Sequence, residues 1–129
     1  MAEQRIRVGI VGAGANTRLR HIPGFRQIPG VEVAGVVNST AASTASVAAE
    51  FGIPKTYGSW EQLVEHPDVD AVAIAAVPSL QPAIAIRALQ LGKPVFAEKP
   101  MAADLAGAEA MAKAAEAMRD MINLSVLKL

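Results

Sequence analysis

The sequence predicts an α/β fold, a doubly wound and mostly parallel sheet with helices on both faces, in a single three-layer α/β/α domain. Two observations support this prediction. Apolar strand-like runs alternate with helix-like segments about every 25 residues along the chain. These runs are continuously apolar, which is typical of parallel strands buried on both faces. The 129 residues, 52% of them apolar, suit one domain with its own core, and no linker divides them.

The first half of the chain supplies two βα units. Ile6–Val11 is a β-branched run that ends in glycines and is predicted to be a buried parallel strand. A helix is predicted over residues 17–27, because a Pro-Gly pair follows and ends it. Val31–Val37 is almost entirely valine and small residues, so it is predicted as the second strand. Ala41–Phe51 is alanine-rich and is predicted as a helix that the next glycine closes.

The second half continues the alternation. Strands are predicted at residues 55–57, 71–75 and 94–97. Helices are predicted at residues 59–66, 79–91 and 104–118, the first of them opened by Ser59 and Gln62 at the spacing of a capping box. Residues 122–129 alternate weakly and are interpreted as a possible sixth strand. Such a strand would leave an exposed sheet edge through which copies of the chain can associate.

Composition excludes several classes of function. Lys plus Arg equals Asp plus Glu, at 12 each, so charge gives no reason to expect binding to nucleic acid or to a membrane surface. The chain has no cysteine, which fits a cytoplasmic protein. No histidine pair or Cys/His cluster predicts a metal site, and no serine lies in a Gly-x-Ser-x-Gly elbow.

A glycine-rich turn follows the first predicted strand. Gly12-Ala13-Gly14-Ala15-Asn16-Thr17 matches Gly-x-Gly-x-x-Gly at its first two glycines, and Thr17 stands in the place of the third. In such a turn the first glycine permits the tight bend, and the second lets the backbone approach a pyrophosphate held by amides at the helix N-terminus. A threonine in the third place can also cap the helix. We therefore predict that Gly12, Ala13, Gly14, Asn16 and Thr17 bind a dinucleotide.

The end of the second strand bears on the choice of cofactor. A carboxylate here would bind the adenosine ribose diol of NAD, but the chain has Asn38-Ser39-Thr40 instead. These hydroxyls and the amide can donate to a 2′-phosphate, and Arg18 or Arg20 is a candidate cation for it. The sequence thus favours NADP slightly over NAD. The alternative is that Ser39 or Thr40 only caps the following helix.

Two further loops are expected at the same edge of the sheet. Ala76-Val77-Pro78 follows the fourth strand and Glu98-Lys99 follows the fifth, so both should face the crevice of the glycine turn. A lysine there can hold a substrate hydroxyl and stabilise the alkoxide that forms as hydride leaves. Glu98 can orient that lysine. The alternative is an ordinary surface ion pair at a strand end.

The chain resembles the N-terminal domain of the glucose–fructose oxidoreductase and inositol dehydrogenase family, Gfo/Idh/MocA, over residues 5–118. The matching stretches are residues 7–14 (RVGIVGAG), 21–25 (HIPGF), 57–60 (YGSW), 66–72 (HPDVDAV) and 88–100 (ALQLGKPVFAEKP). After the fourth strand the family often has Thr-Pro-Asn followed by a histidine, and this chain has VPSLQ at residues 77–81.

The resemblance implies a nicotinamide-dependent oxidoreductase acting on sugars, polyols or related compounds. It implies that Lys99 binds substrate and assists proton transfer, and that Glu98 lies near the nicotinamide end of the cofactor. Family members carry a second domain with most of the substrate pocket and a catalytic histidine. We expect that domain to be missing from these 129 residues, and His21 and His66 to be poor replacements, with His21 structural. Little turnover is therefore expected from the chain alone, and the alternative is a stand-alone nucleotide-binding or interaction module.

Overall fold

The computed structural model describes residues 5–15 and 17–127, with side chains as far as residue 119. It confirms the predicted α/β fold, because five parallel strands form one sheet in the order β3-β2-β1-β4-β5. The strands are β1 (Ile6–Val11), β2 (Val31–Val37), β3 (Lys55–Thr56), β4 (Ala71–Ile74) and β5 (Val95–Ala97). The helices are α1 (Ile22–Arg26), α2 (Ala41–Phe51), α3 (Trp60–Glu65), α4 (Gln81–Gln90) and α5 (Leu105–Leu127). A π-helical turn at Thr17–His21 leads into α1.

The prediction of a sixth strand is wrong. Residues 122–127 continue α5, and residues 128–129 lie outside the described part of the chain. No glycine or proline interrupts residues 108–127, so the helix preference of an alanine- and methionine-rich run outweighs a weak alternation. Self-association through a sixth strand loses its basis with that correction.

The predicted N-terminal cap of α3 is confirmed in a modified form. The Ser59 side chain accepts a hydrogen bond from the Gln62 amide. The Oε1 of Gln62 accepts a hydrogen bond of 3.0 Å from the amide of Gly58, one residue before the cap. The start of α3 is therefore anchored to the loop that follows β3.

Two hydrophobic cores lie on the two faces of the sheet. One packs α1 and α2 against residues such as Val8, Ile10 and Val36. The other packs α3, α4 and α5 against Val11, Val72 and further strand residues. Because both faces are covered, the central strands are mostly apolar, as the sequence pattern predicted, whereas the short edge strand β3 is polar and exposed.

The register of the sheet brings the carboxyl ends of four strands to one level. Val11 pairs with both Val37 and Ile74, and Ile74 pairs with Ala97. These are the last residues of β1, β2, β4 and β5. The loops that follow these strands consequently share one edge of the sheet.

The amino ends of the strands carry an ion-pair network. The Arg7 guanidinium donates to both carboxylate oxygens of Asp70 (3.0 and 3.1 Å) and to Asp68 (3.3 Å). Lys55 Nζ lies 2.9 Å from the second oxygen of Asp68. The hydrogen bond from Arg7 lowers the pKa of Asp70, and the one from Lys55 lowers that of Asp68. Stability from these pairs is present above the unfolded carboxyl pKa of about 4 and lost as the pH falls through the lowered values.

Within residues 5–15 and 17–127, no helix combines the length and the apolar character needed to cross a membrane.

Candidate functional site

The glycine turn leaves β1 under a tight steric constraint. Gly12 has φ of +85°, and a Cβ on it would lie 2.5 Å from the carbonyl oxygen of Ala75. The turn is fixed to both neighbouring strands, since the Gly12 amide donates to Val37 (2.9 Å) and the Ala75 amide donates to Val11 (2.8 Å). Gly12 is thus required by the contact between the turn and the end of β4.

Gly14 differs from Gly12 in its surroundings. A Cβ built on Gly14 meets no atom within 4 Å, so the space in front of this backbone is open. The prediction for Asn16 falls on a residue outside the described part of the chain. Thr17 is 2% exposed, and its hydroxyl donates to the Gly12 carbonyl at 3.3 Å. In the place of the third glycine there is therefore a buried threonine whose hydrogen bond holds the start of the turn.

The three polar residues after β2 have different contacts. Asn38 holds the glycine turn, because its Oδ1 accepts from the Ala13 amide at 3.3 Å. Thr40 caps α2 and exchanges hydrogen bonds with Ser43 in a capping box, as the alternative interpretation held. Ser39 lines both a cavity of about 490 Å³ and an adjoining one of about 260 Å³. Of the three, Ser39 is the residue best placed to meet a ligand.

The larger cavity lies over the ends of β1, β2 and β4. Seven predicted residues line it: Gly12, Ala13, Gly14, Asn38, Ser39, Ala76 and Val77. Thr40 lines the smaller cavity, and Pro78 lines neither. Trp60 and Leu80 also line the larger cavity, and the sequence did not predict a role for them. The sequence feature that could have indicated Trp60 is the position of an aromatic residue directly after the Ser59 cap.

Glu98 and Lys99 lie at the same edge, after β5, but outside the lining of these two cavities. The Glu98 amide donates to Ile74 at 2.8 Å, which extends the pairing of β5 with β4. His21 Nε2 lies 2.7 Å from Glu98 Oε2, a contact that the sequence did not indicate. His21 therefore lies against the residue that precedes Lys99, and the expectation that it is a poor replacement for a catalytic histidine stays a prediction.

Gln81 is the residue that connects the two loops. Its side chain is buried, and its Oε1 accepts from the Ala76 amide at 3.2 Å. Its Nε2 donates to the carbonyl oxygens of Glu98 (2.8 Å) and Pro100 (3.0 Å). One side chain thus holds the loop after β4 to the loop that carries Lys99. The sequence did not predict this role, because no local pattern around residue 81 indicates a distant hydrogen bond.

Comparison with known proteins identifies the family. A model described as an oxidoreductase family with an NAD-binding Rossmann fold matches residues 6–126. The chain belongs to the Gfo/Idh/MocA family. It is therefore an NAD(P)-binding Rossmann domain of this oxidoreductase family, and the resemblance noted in the sequence is confirmed.

Individual members of the Gfo/Idh/MocA family agree with this assignment. The 1,5-anhydro-D-fructose reductase of Ensifer adhaerens is 37% identical over 109 residues, which are 84% of this chain and 32% of the reductase. The structure of the Synechocystis biliverdin reductase with biliverdin and NADP⁺ gives a TM-score of 0.80 at 34% identity, over 88% of this chain and 35% of that one. KijD10, a 3-ketoreductase from Actinomadura kijaniata solved with NADP, gives 0.79 at 30% identity, over 89% and 36%.

The chain spans about a third of the length of the Gfo/Idh/MocA relatives that it matches. The residues of this chain that the family model matches include the glycine turn and the Glu98-Lys99 loop.

Proposed function

We propose that residues 1–129 form the NAD(P)-binding domain of an oxidoreductase that transfers hydride between a nicotinamide cofactor and a sugar, polyol or related hydroxyl or carbonyl substrate. The observation behind this proposal is that the carboxyl ends of β1, β2, β4 and β5 lie side by side at one edge of the sheet. They support the proposal that the glycine turn, the cavity and Lys99 share one crevice, which is where open α/β sheets bind ligands.

The cavity supports one direction for the cofactor. Open backbone at Gly14 suits the pyrophosphate. The adenosine half would extend over β2 toward Ser39, with Trp60 and Leu80 as apolar walls for the base. The nicotinamide half would then extend over β4 toward β5, where Lys99 lies.

The proposed cofactor is NADP, with a slight preference over NAD. Asn38, Ser39 and Thr40 place no carboxylate at the end of β2 to repel a 2′-phosphate. Arg18 does not supply the cation considered for that phosphate, because it pairs with Glu50, which is near the opposite end of α2 from Thr40. Hydroxyl and backbone donors would then hold the phosphate, with Arg20 as the remaining candidate cation, which is why the preference is small.

Lys99 is the proposed catalytic residue. The bound cofactor would accept or donate the hydride at its nicotinamide ring. The Lys99 ammonium would hydrogen-bond the substrate oxygen and stabilise the negative charge that develops on it as the C–H bond breaks. Gln81 fixes the backbone on both sides of Lys99 and so limits its range of positions. Because the relatives are about three times as long, we propose that turnover requires a second domain.

Cofactor binding tests the proposal directly. Calorimetric titration of the chain with NADP⁺, NADPH, NAD⁺ and NADH should give dissociation constants of about 1–100 μM, the range of a small open site. Trp60 is the single tryptophan of the sequence, so its fluorescence should change on addition of NADP⁺ and also of 2′-phospho-ADP-ribose. Nicotinamide mononucleotide, which lacks the adenine base, should leave that fluorescence unchanged. Failure of all four cofactors to bind would overturn the proposed function.

Substitution of Lys99 tests its role separately. In a protein that joins this domain to a substrate domain, Lys99→Met should lower kcat about 100-fold or more, since a charged group at the reacting oxygen is lost. Affinity for NADPH should stay within about twofold. Lys113→Met, on the exposed face of α5, is the matched control and should change neither quantity. Full turnover by the Lys99 variant would rule out its catalytic role.

A further inference from the structure

Thr44 carries a buried hydroxyl group that the proposed binding of the cofactor does not use. It is the fourth residue of α2 and is 4% exposed. Its Oγ1 accepts a hydrogen bond from the Asn38 amide and donates one to the Thr40 carbonyl oxygen, both at 2.8 Å. One side chain therefore holds both ends of the loop formed by Asn38, Ser39 and Thr40 to the helix that follows it.

Asn38 extends this connection to the glycine turn. Its amide donates to Thr44, while its Oδ1 accepts from the Ala13 amide at 3.3 Å and its Nδ2 donates to the Ala13 carbonyl oxygen at 3.5 Å. Thr40 is held as well, because it exchanges hydrogen bonds with Ser43 in the capping box. The position of the loop relative to the glycine turn is thus fixed from α2, through the hydroxyl of Thr44.

Ser39 lies between these two anchored residues and differs from both. It is exposed, and it lines the cavity of about 490 Å³ and the adjoining one of about 260 Å³. The described part of the chain gives it no hydrogen-bond partner. A ligand over the end of β2 therefore finds the Ser39 hydroxyl available. The place of that hydroxyl depends on the two neighbours that Thr44 holds.

We propose that Thr44 is a positioning residue that aligns Ser39 with the 2′ position of the adenosine ribose, and that it thereby sets the preference for NADP over NAD. This inference rests on the proposed function, which directs the adenosine half of the cofactor toward Ser39. A 2′-phosphate is charged, so a hydrogen bond donated to it is stronger than one donated to a 2′-hydroxyl. Displacement of Ser39 should consequently cost NADP more affinity than NAD.

Thr44→Val tests the inference, because valine keeps the branched shape and removes the hydroxyl. Dissociation constants of the chain for NADPH and NADH are measured by calorimetry in one buffer, so that salt acts equally in every comparison. The affinity for NADPH should fall about five- to twentyfold, and that for NADH by about twofold or less. The preference for NADPH should therefore fall, whereas a merely structural role of Thr44 would weaken both cofactors alike.

Two matched variants assign the effect to the hydroxyl. Thr44→Ser keeps the hydroxyl and removes the methyl group, so it should retain the preference of the unaltered chain. Ser46→Val removes a hydroxyl from an exposed position of the same helix, outside both cavities. It should change neither affinity.

Ser39→Ala tests whether Thr44 acts through Ser39. This variant should itself lower the preference for NADPH. Addition of Thr44→Val to Ser39→Ala should then change the ratio by less than twofold, because two residues that act through one contact do not give additive effects.

The outcomes separate the two claims. An unchanged ratio in Thr44→Val, or an equal change in Ser46→Val, overturns the role of Thr44 and leaves the proposed function intact. A full additional effect of Thr44→Val in the Ser39→Ala background overturns it as well. Lack of binding by any cofactor overturns both claims. Should Thr44→Val fail to fold by circular dichroism, Ser39→Ala decides, since an unchanged ratio in that variant contradicts the inference.

Discussion

Gly12→Ala should lower the free energy of unfolding by about 3 kcal/mol, because a left-handed backbone and a backbone contact both oppose the new methyl group. Gly12 has φ of +85°, and the added Cβ would lie 2.5 Å from the carbonyl oxygen of Ala75. That oxygen belongs to the end of β4 and cannot rotate away as a flexible side chain can. The measurement is urea denaturation followed by circular dichroism.

Gly14→Ala is the matched variant in the same turn. It should weaken cofactor binding and leave stability almost unchanged. Its Cβ would meet no atom within 4 Å, so the free energy of unfolding should change by no more than about 0.5 kcal/mol. Its affinity for NADPH should fall about tenfold or more, since the methyl group would occupy the approach of the pyrophosphate. Unchanged affinity in Gly14→Ala would contradict the proposed position of the pyrophosphate.

Gln81→Met should also lower the free energy of unfolding by about 3 kcal/mol. Methionine has a similar length and a good helix propensity, so the change mainly removes polar contacts. The Ala76 amide and the carbonyl oxygens of Glu98 and Pro100 would lose the partner that the buried Gln81 side chain gives them, in partly buried surroundings. Gln90→Met makes the same exchange at an exposed position of α4 and should cost less than about 0.5 kcal/mol.

Gln81→Met should affect the crevice as well as stability. The loop that carries Lys99 is held to α4 through this side chain, so its release should increase amide hydrogen exchange at Glu98, Lys99 and Met101. Exchange at residues 38–40, which have their own hydrogen bonds to α2 and the glycine turn, should stay unchanged. Equal stability of the Gln81 and Gln90 variants would show that Gln81 is not the connection described.

Much of the fold could be predicted from the sequence because local signals and the packing agree. Four of the five strands are mostly apolar runs, and α2 and α3 begin at polar caps that the structure also uses, Thr40 and Ser59. The prediction for the C-terminal segment failed because no glycine or proline ends the helix before it. The weak alternation of residues 122–129 was interpreted as a strand, although a helix that precedes it can continue through such a segment.

The candidate site was predictable only where a short motif encodes it. The role of Gly12 follows from its place after a strand, and the structure gives the physical reason in the Ala75 contact. Gln81 and His21 could not be found this way. Their partners lie in a loop that only the pairing of β4 with β5 brings close, and neither residue has a local pattern that indicates a distant hydrogen bond.

The ion-pair network of Arg7, Asp68, Asp70 and Lys55 lies at the opposite edge of the sheet from the glycine turn. Its contacts are made at the amino ends of the strands, whereas every residue of the proposed cofactor site follows a carboxyl end. Substitutions in the network would therefore change acid and salt tolerance without touching cofactor chemistry. This separation gives the domain two regions that natural variation or engineering can alter independently, one for the conditions it withstands and one for what it binds.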